Sequence, residues 1–230
     1  MSAARGGSAF SFESGGQTID AYLAEPASGQ GPGVVVVQEW WGLVDAIRDV
    51  CDRLAREGFV ALAPDLYRGE RTTDPDEAGR LMMDLEIPRA VGDLEAAAEA
   101  LLRQSSVTGP KIGCIGFCMG GQLALAAGCA DDRYRAIIDC YGIHPNVELD
   151  VEKLEASVFG VFAENDEFIP HESVRALETK LRDAGVQVEF KTFLGVQHAF
   201  MNHARPDVYD AAAADEAWND TLSFLRAELG

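Results

Sequence analysis

The sequence is poor in positive charge: 19 Lys and Arg residues stand against 38 Asp and Glu residues, which gives a formal net charge of −19 at pH 7. Nonspecific binding to nucleic acids and to anionic membranes is carried by Lys and Arg. We therefore expect neither nucleic acid nor a membrane among its partners. Long hydrophobic runs are also missing, since no stretch approaches the ~20 apolar residues that a membrane-spanning helix needs. Residues 1–10 (MSAARGGSAF) lack the apolar core of a signal peptide, which predicts a cytoplasmic protein.

The cysteines lack the patterns that bind metal or cross-link a chain. Their number, five, is odd, and none belongs to the paired CxxC spacing of a zinc site. We expect reduced thiols and no metal site. The five positions are Cys51, Cys114, Cys118, Cys129 and Cys140.

The apolar content is high enough for a full hydrophobic core. Apolar residues make up 47% of the 230 positions, which excludes a disordered chain. A chain of this length buries ~70–75% of the surface that it exposes when unfolded. We expect one domain over residues 1–230, acting as a monomer.

From Gly33 onward, short apolar runs alternate with amphipathic segments. This alternation is typical of a mostly parallel sheet with helices on both faces, so the predicted fold class is α/β. Before it, an antiparallel pair of strands is expected at residues 10–12 and 18–23, around a Gly-Gly turn. Further strands are predicted at residues 33–38, 59–63, 111–116, 136–140, 158–163 and 186–193. Helices are predicted at residues 45–57, 76–86, 89–104, 119–130, 172–184 and 208–229.

One stretch carries a catalytic pattern: Gly116-Phe-Cys-Met-Gly120, between a predicted strand and a predicted helix. It matches the nucleophile elbow G-x-S-x-G with cysteine in the serine position. Small residues at Gly116 and Gly120 allow the strained strand-to-helix turn. The sulfur of Cys118 would then lie near a helix N-terminus, which favours a thiolate and a developing oxyanion. The amide of Met119 is the expected first oxyanion donor.

Candidates for the acid and the base follow in the chain order that such hydrolases use. Asp166 comes shortly after the predicted strand 158–163 and is the expected acid, with Glu164 as the alternative. His198 follows the predicted strand 186–193 and is the expected base, with His203 as the alternative.

Several motifs occur together from about residue 10 to the C-terminus. They are Gln38-Glu-Trp-Trp-Gly42, Pro64-Asp-Leu-Tyr67, Val91-Gly-Asp-Leu94, Gly116-Phe-Cys-Met-Gly-Gly121, Asp166 and Gln197-His-Ala-Phe200. This combination resembles the dienelactone hydrolase family of the α/β-hydrolase fold. The resemblance implies a Cys118, Asp166 and His198 triad, a second oxyanion donor at the amide of Trp40, and no cofactor. It also implies that Glu39 keeps the resting cysteine as a thiol until substrate displaces its carboxylate, because a nearby negative charge disfavours a thiolate.

The sequence departs from the family where arginines grip the substrate carboxylate. The position four residues after His198 is Asn202, and the nearest arginine is Arg205. In the segment before Val91, neither Arg80 nor Arg89 falls at the family's position. The candidate substrate contacts are Trp41, Tyr67, Arg68, Arg80, Phe200 and Arg205.

Two hydrolase hypotheses and one redox hypothesis follow. The enzyme hydrolyses an enol-lactone such as dienelactone, or it is a general carboxylesterase for small esters that does not act on dienelactone. A redox protein in which Cys118 pairs with Cys114 is disfavoured, because residues 114 and 118 form no CxxC pair and Cys114 lies in a predicted buried strand.

Overall fold

The computed structural model describes residues 6–230, and the eight strands in this range form one sheet in the order β1-β2-β4-β3-β5-β6-β7-β8. β1 and β2 pair antiparallel, as do β2 and β4, and all other neighbouring strands are parallel. The predicted mostly parallel α/β sheet is therefore confirmed. Residues 1–5, which belong to the predicted 1–230 domain and to the segment 1–10, lie outside the described residues. The strands are β1 (Ser8–Ser14), β2 (Gln17–Ala24), β3 (Gly31–Val37), β4 (Val60–Pro64), β5 (Val107–Phe117), β6 (Tyr134–Cys140), β7 (Ser157–Ala163) and β8 (Val188–Phe193).

Helices cover the sheet on both faces. α1 and α6 pack on one face, and α3 and α4 pack on the other. Because both faces are covered, the central strand β3 is a continuous apolar run whose residues from Val34 to Val37 are fully buried. The helices are α1 (Asp45–Arg56), α2 (Pro75–Asp84), α3 (Ile87–Leu102), α4 (Met119–Ala130), α5 (His171–Asp183) and α6 (Ala211–Leu229), with a short 3₁₀ turn at Val151–Lys153.

Capping side chains move two helix starts away from their predicted positions. Helix α6 begins at Ala211 and not at residue 208, because the side chain of Asp210 accepts a hydrogen bond from the amide of Ala213 at 2.9 Å. Helix α2 begins one residue earlier than predicted, because Asp74 accepts a hydrogen bond from the amide of Glu77 at 3.0 Å. The spacing of apolar residues does not reveal such capping hydrogen bonds, so it does not predict the first residue of a helix.

Strand β5 is longer than the predicted strand 111–116. Val107 pairs with Gly31 and Thr108 with Pro32, and the register shifts before Val34. Gly109 has φ 81° inside this strand. This glycine interrupts the apolar pattern of the sequence but does not end the pairing of the strands. Such an irregularity is a bulge, which a sequence pattern shows only as a break.

The parallel strands bring four loops to the same edge of the sheet. The segments that follow β3, β5, β7 and β8 carry Glu39, Cys118, Asp166 and His198 in turn. The carboxyl ends of parallel strands are where α/β proteins place their sites. In residues 6–230, no helix is both long and apolar enough to cross a membrane.

Candidate active site

The turn between β5 and α4 holds Cys118 in a strained backbone conformation. Its φ is 54° and its ψ is −126°, a region that residues with a side chain rarely adopt. A Cβ atom at Gly116 would lie 1.9 Å from the carbonyl oxygen of Gly120, and one at Gly120 would lie 2.5 Å from the carbonyl oxygen of Gln38. Real Cβ atoms essentially never approach a neighbour closer than 3.0 Å. The turn therefore requires glycine at both positions, as the elbow pattern predicts.

His198 is fixed by the loop that follows β7. Its Nδ1 lies 2.8 Å from Oδ2 of Asp166. The other carboxylate oxygen of Asp166 accepts hydrogen bonds from the amides of Phe168 at 2.9 Å and Ile169 at 3.0 Å. The backbone thus orients the carboxylate, and the carboxylate orients the imidazole. Because Nδ1 faces Asp166, Nε2 is the nitrogen left for the cysteine.

The surroundings of His198 stabilise its protonated form when Cys118 is a thiolate. Burial lowers the pKa of His198, but hydrogen bonds to Asp166 and Cys118 and the charges of these groups outweigh burial and raise the pKa to about 10. The imidazole ring also packs edge-on against Tyr141 and Phe168, with ring centroids 5.1 Å away in each case. A proton that leaves the Cys118 thiol therefore finds a favourable site on His198.

The alternative acid and base lie elsewhere. Glu164 is exposed, and its Oε2 accepts a hydrogen bond from the amide of Gly195 at 2.8 Å. His203 pairs with Asp49 at 3.1 Å, where both side chains are about half exposed. Cys114, the partner that the redox hypothesis needs, is completely buried in β5.

Glu39 is a buried carboxyl group at the active-site cavity. It is only 3% exposed, and its Oε2 accepts a hydrogen bond from Nδ2 of Asn202 at 2.7 Å. Burial raises the pKa of Glu39, while the charge of His198, the hydrogen bond from Asn202 and the charge of Arg205 oppose this rise. Asn202, at the position where the resemblance implies an arginine, supplies a neutral donor to this carboxyl group.

The backbone amides of Trp40 and Met119 are the expected oxyanion donors. Met119 is the first residue of α4, and Trp40 follows Glu39 in the loop after β3. Neither amide donates a hydrogen bond to another group in residues 6–230. The two residues at which the sequence predicts oxyanion donors thus keep uncommitted amides.

A cavity of about 480 Å³ opens over Cys118 and His198. This volume suits a small organic substrate. Apolar side chains dominate its wall. They are Trp40, Trp41, Pro75, Met82, Ile143, Phe168, Ala199 and Val208, and the polar members are Glu39, Thr73, Asn165, Glu167, Gln197 and Arg205.

Of the six predicted substrate contacts, the structure brings Trp41 and Arg205 to this cavity. Tyr67 is buried and donates a hydrogen bond to Sδ of Met119 at 3.2 Å, and Phe200 is buried beside Tyr141. Neither lines the wall.

The two remaining arginines are held by ion pairs outside the cavity. Arg68 donates to the buried carboxylate of Asp93 at 2.7 Å. Arg80 is half exposed and pairs with Asp84 at 3.1 Å on its own helix. Both arginines stabilise structure at these positions, and neither meets a ligand in the cavity.

The sequence does not directly indicate two residues of the site, Phe168 at the cavity wall and Asn202 beside Glu39. Phe168 is 58% exposed and packs edge-on against Trp40 at 6.4 Å as well as against His198. Its position two residues after Asp166 is the only hint that it would lie over the site. Asn202 lies outside this wall, and its hydrogen bond to Glu39 joins residues 163 positions apart, which no sequence pattern indicates.

In the part of the chain that the structure describes, no group of three or more His, Cys, Asp or Glu side chains is placed to hold a metal ion. All five cysteines are buried free thiols.

The sheet order, the strained elbow and the loops at the carboxyl edge define a protein of the α/β-hydrolase fold. The "Putative Dienelactone Hydrolase" from Klebsiella pneumoniae has the same fold, with a TM-score of 0.87 and 28% sequence identity over 96% of this chain and 98% of that chain.

Residues 19–229 match the model of the dienelactone hydrolase family. "Protein usf" from Aquifex pyrophilus is 40% identical over 225 residues, which cover 95% of this chain and 97% of that protein. The "Putative carboxymethylenebutenolidase" from Aquifex aeolicus is 37% identical with the same coverage. The chain belongs to the dienelactone hydrolase family and is a hydrolase of that family, which confirms the resemblance seen in its motifs.

Proposed function

We propose that this hydrolase acts on small carboxylic esters or enol-lactones and that Cys118 is its nucleophile. One observation carries the proposal: the strained Cys118 shares a cavity with His198, which is hydrogen-bonded to Asp166 at 2.8 Å. A nucleophile, a base within hydrogen-bond reach and a group that orients the base are the parts of a covalent hydrolase.

The first half of the reaction forms a thioester. Sγ of Cys118 attacks the carbonyl carbon, and its proton passes to Nε2 of His198. The amides of Trp40 and Met119 stabilise the oxyanion, each by about 3–4 kcal/mol by analogy with single-donor deletions in other hydrolases. The carbon–oxygen bond then breaks, and His198 returns the proton to the leaving oxygen.

The second half releases the acid. A water molecule gives a proton to His198 and attacks the thioester carbon. The carbon–sulfur bond breaks, and the sulfur of Cys118 leaves as a thiolate that takes the proton back from His198. Asp166 keeps Nδ1 engaged throughout, so the imidazole presents the same nitrogen in both halves.

Glu39 acts on the resting cysteine. Its buried carboxyl group lines the same cavity as Cys118, and a negative charge there disfavours a thiolate. Oxidation follows thiolate character and exposure, so this arrangement protects the thiol while no substrate is bound. A substrate that enters the cavity displaces the carboxylate and releases the nucleophile.

The test compares the hydrolysis of dienelactone and of p-nitrophenyl acetate by the wild type and by Cys118→Ala. We expect Cys118→Ala to lose kcat by on the order of 10⁴–10⁶-fold, as nucleophile deletions do in comparable triads. Cys129→Ala is the matched control, since Cys129 is another buried free thiol on α4 and does not line the cavity. Mass spectrometry of the quenched wild type should show the acyl group on Cys118. Undiminished hydrolysis by Cys118→Ala contradicts the proposal.

A further inference from the structure

The active-site cavity has a single arginine and no lysine in the wall that the described residues form, and this arginine is already paired. Nε of Arg205 donates to Oδ1 of Asp207 at 3.0 Å, and Nη2 donates to Oδ2 at 2.7 Å. This two-point contact is the strongest geometry that a guanidinium and a carboxylate can form. Asp207 itself is not part of the cavity wall.

The surroundings of Arg205 hold this pair in place. Its guanidinium carbon lies 5.8 Å from the ring centre of Trp41, and its carbonyl oxygen accepts hydrogen bonds from the amides of Val208 at 3.1 Å and Tyr209 at 2.9 Å. The turn therefore keeps Asp207 within reach of Arg205. Their contact raises the pKa of Arg205 and lowers the pKa of Asp207, so both groups stay charged at neutral pH.

The charge that a substrate meets follows from this pairing. Asp207, outside the wall, cancels the positive charge of Arg205. The carboxyl groups that do line the wall belong to Glu39 and Glu167. Apart from His198, which carries a proton only during the reaction, the wall that residues 6–230 form holds no cation that is free to bind a substrate carboxylate. Such a carboxylate would also meet like charges in a mostly apolar cavity, which costs free energy.

We propose that Asp207 masks Arg205 and thereby makes the enzyme prefer esters whose acyl group carries no negative charge. This selectivity rests on the hydrolase function proposed above. Arg205 has five N–H donors and uses two of them on Asp207. Removal of the Asp207 charge therefore leaves a cation at the cavity wall that binds a substrate carboxylate.

The test uses two 4-nitrophenyl esters of adipic acid that share one acyl chain. One ends in a free carboxylate, and the other ends in a methyl ester, so they differ mainly in charge. Release of nitrophenolate gives kcat/KM for each. For the wild type we expect the neutral ester to be preferred by about fivefold or more. In Asp207→Asn we expect the ratio of anionic to neutral kcat/KM to rise about three- to fivefold at low salt, the range that exposed ion pairs support.

Two further variants separate charge masking from a general effect. Asp207→Asn combined with Arg205→Gln should lose the gain, because Arg205 is the group that is unmasked. Asp183→Asn removes one exposed carboxylate from α5, away from the cavity, and should leave the ratio at its wild-type value. The gain in Asp207→Asn should also shrink in 0.5 M salt, because the Debye length falls to about 4 Å.

Each outcome has a distinct meaning. Equal cleavage of both esters by the wild type, or an unchanged ratio in Asp207→Asn, overturns the charge selectivity and leaves the hydrolase proposal intact. A gain that persists in the double variant overturns the role of Arg205. Failure of the wild type to cleave these two esters, p-nitrophenyl acetate and dienelactone overturns the proposed function, and the selectivity falls with it. Failure on the two adipate esters alone overturns only the selectivity.

Discussion

Gly116→Ala is expected to damage both folding and catalysis, because its Cβ atom would meet only backbone. The nearest atoms are the carbonyl oxygen of Gly120 at 1.9 Å, the carbonyl carbon of Gly120 at 2.3 Å and the amide nitrogen of Gly121 at 2.7 Å. The first contact must lengthen by about 1.1 Å (3.0 − 1.9) to reach the shortest distance that real Cβ atoms show. No side chain can yield, so the turn itself must move.

The size of both effects follows from this displacement. Overpacking against well-packed groups costs about 1–3 kcal/mol, and a backbone contact belongs at the upper end, so we expect the free energy of unfolding to fall by about 3 kcal/mol or more. For a chain of this size, that is a Tm lower by roughly 6–12 °C. The same shift moves Cys118 by about 1 Å relative to His198, and misplacement on this scale costs on the order of 10²-fold in kcat.

Urea denaturation and the hydrolysis of p-nitrophenyl acetate measure the two effects. Gly92→Ala is the matched control, because Gly92 lies inside α3 and its added Cβ would meet nothing within 4 Å. That variant should gain about 0.5–1 kcal/mol, since alanine is the better helix former. If Gly116→Ala keeps wild-type stability and activity, the reasoning from backbone contacts is refuted.

Two other variants test the roles of buried charges. Arg68→Ala leaves the carboxylate of Asp93, whose side chain is 2% exposed, without its ion-pair partner. Urea denaturation should show a free energy of unfolding lower by roughly 3–5 kcal/mol. A raised KM at unchanged stability would instead place Arg68 in substrate binding. Asn202→Ala removes the hydrogen bond that opposes the raised pKa of Glu39 and should cost about 1–3 kcal/mol. Because the folded pKa of Glu39 lies above its unfolded value, stability is lost as pH rises through the folded pKa. The hydrogen bond from Asn202 favours the ionised carboxylate, so its removal should lower the free energy of unfolding more at alkaline than at acidic pH. A decrease that does not vary with pH contradicts this account.

The residues that sequence patterns located are those whose local geometry demands a residue type. The elbow at Cys118 requires Gly116 because of backbone contacts within five residues, and it requires Gly120 because the backbone of Val37 and Gln38 lies against it. Both requirements appear in the chain as the glycines of the elbow pattern. Asp166 and His198 follow predicted strands, and parallel strands bring such loops to one edge. Their positions along the chain were therefore sufficient to predict their meeting.

The substrate contacts were harder to predict, because they depend on the direction of side chains in loops. Tyr67 and Phe200 are aromatic residues beside motif positions, yet both point into the hydrophobic core. Trp41 and Arg205 line the cavity instead. A strand or a helix has a fixed period that assigns residues to one face, whereas a loop has none. Only the turns of the folded loop decide which side chain meets the substrate.

The neutral residue at position 202 links the resting state of the site to its selectivity. An arginine at this position would compensate Glu39 and also attract a substrate carboxylate. Asn202 instead donates one hydrogen bond of 2.7 Å to the carboxyl group and brings no charge. The nearest cation, Arg205, is then the only arginine at the wall in residues 6–230, and Asp207 occupies it. Neither position 202 nor the paired Arg205 therefore offers a free positive charge near the cavity. Under the proposed function, an acyl group that enters the cavity would be recognised mainly by apolar contact with the wall around Trp40, and its carbonyl oxygen by the amides of Trp40 and Met119.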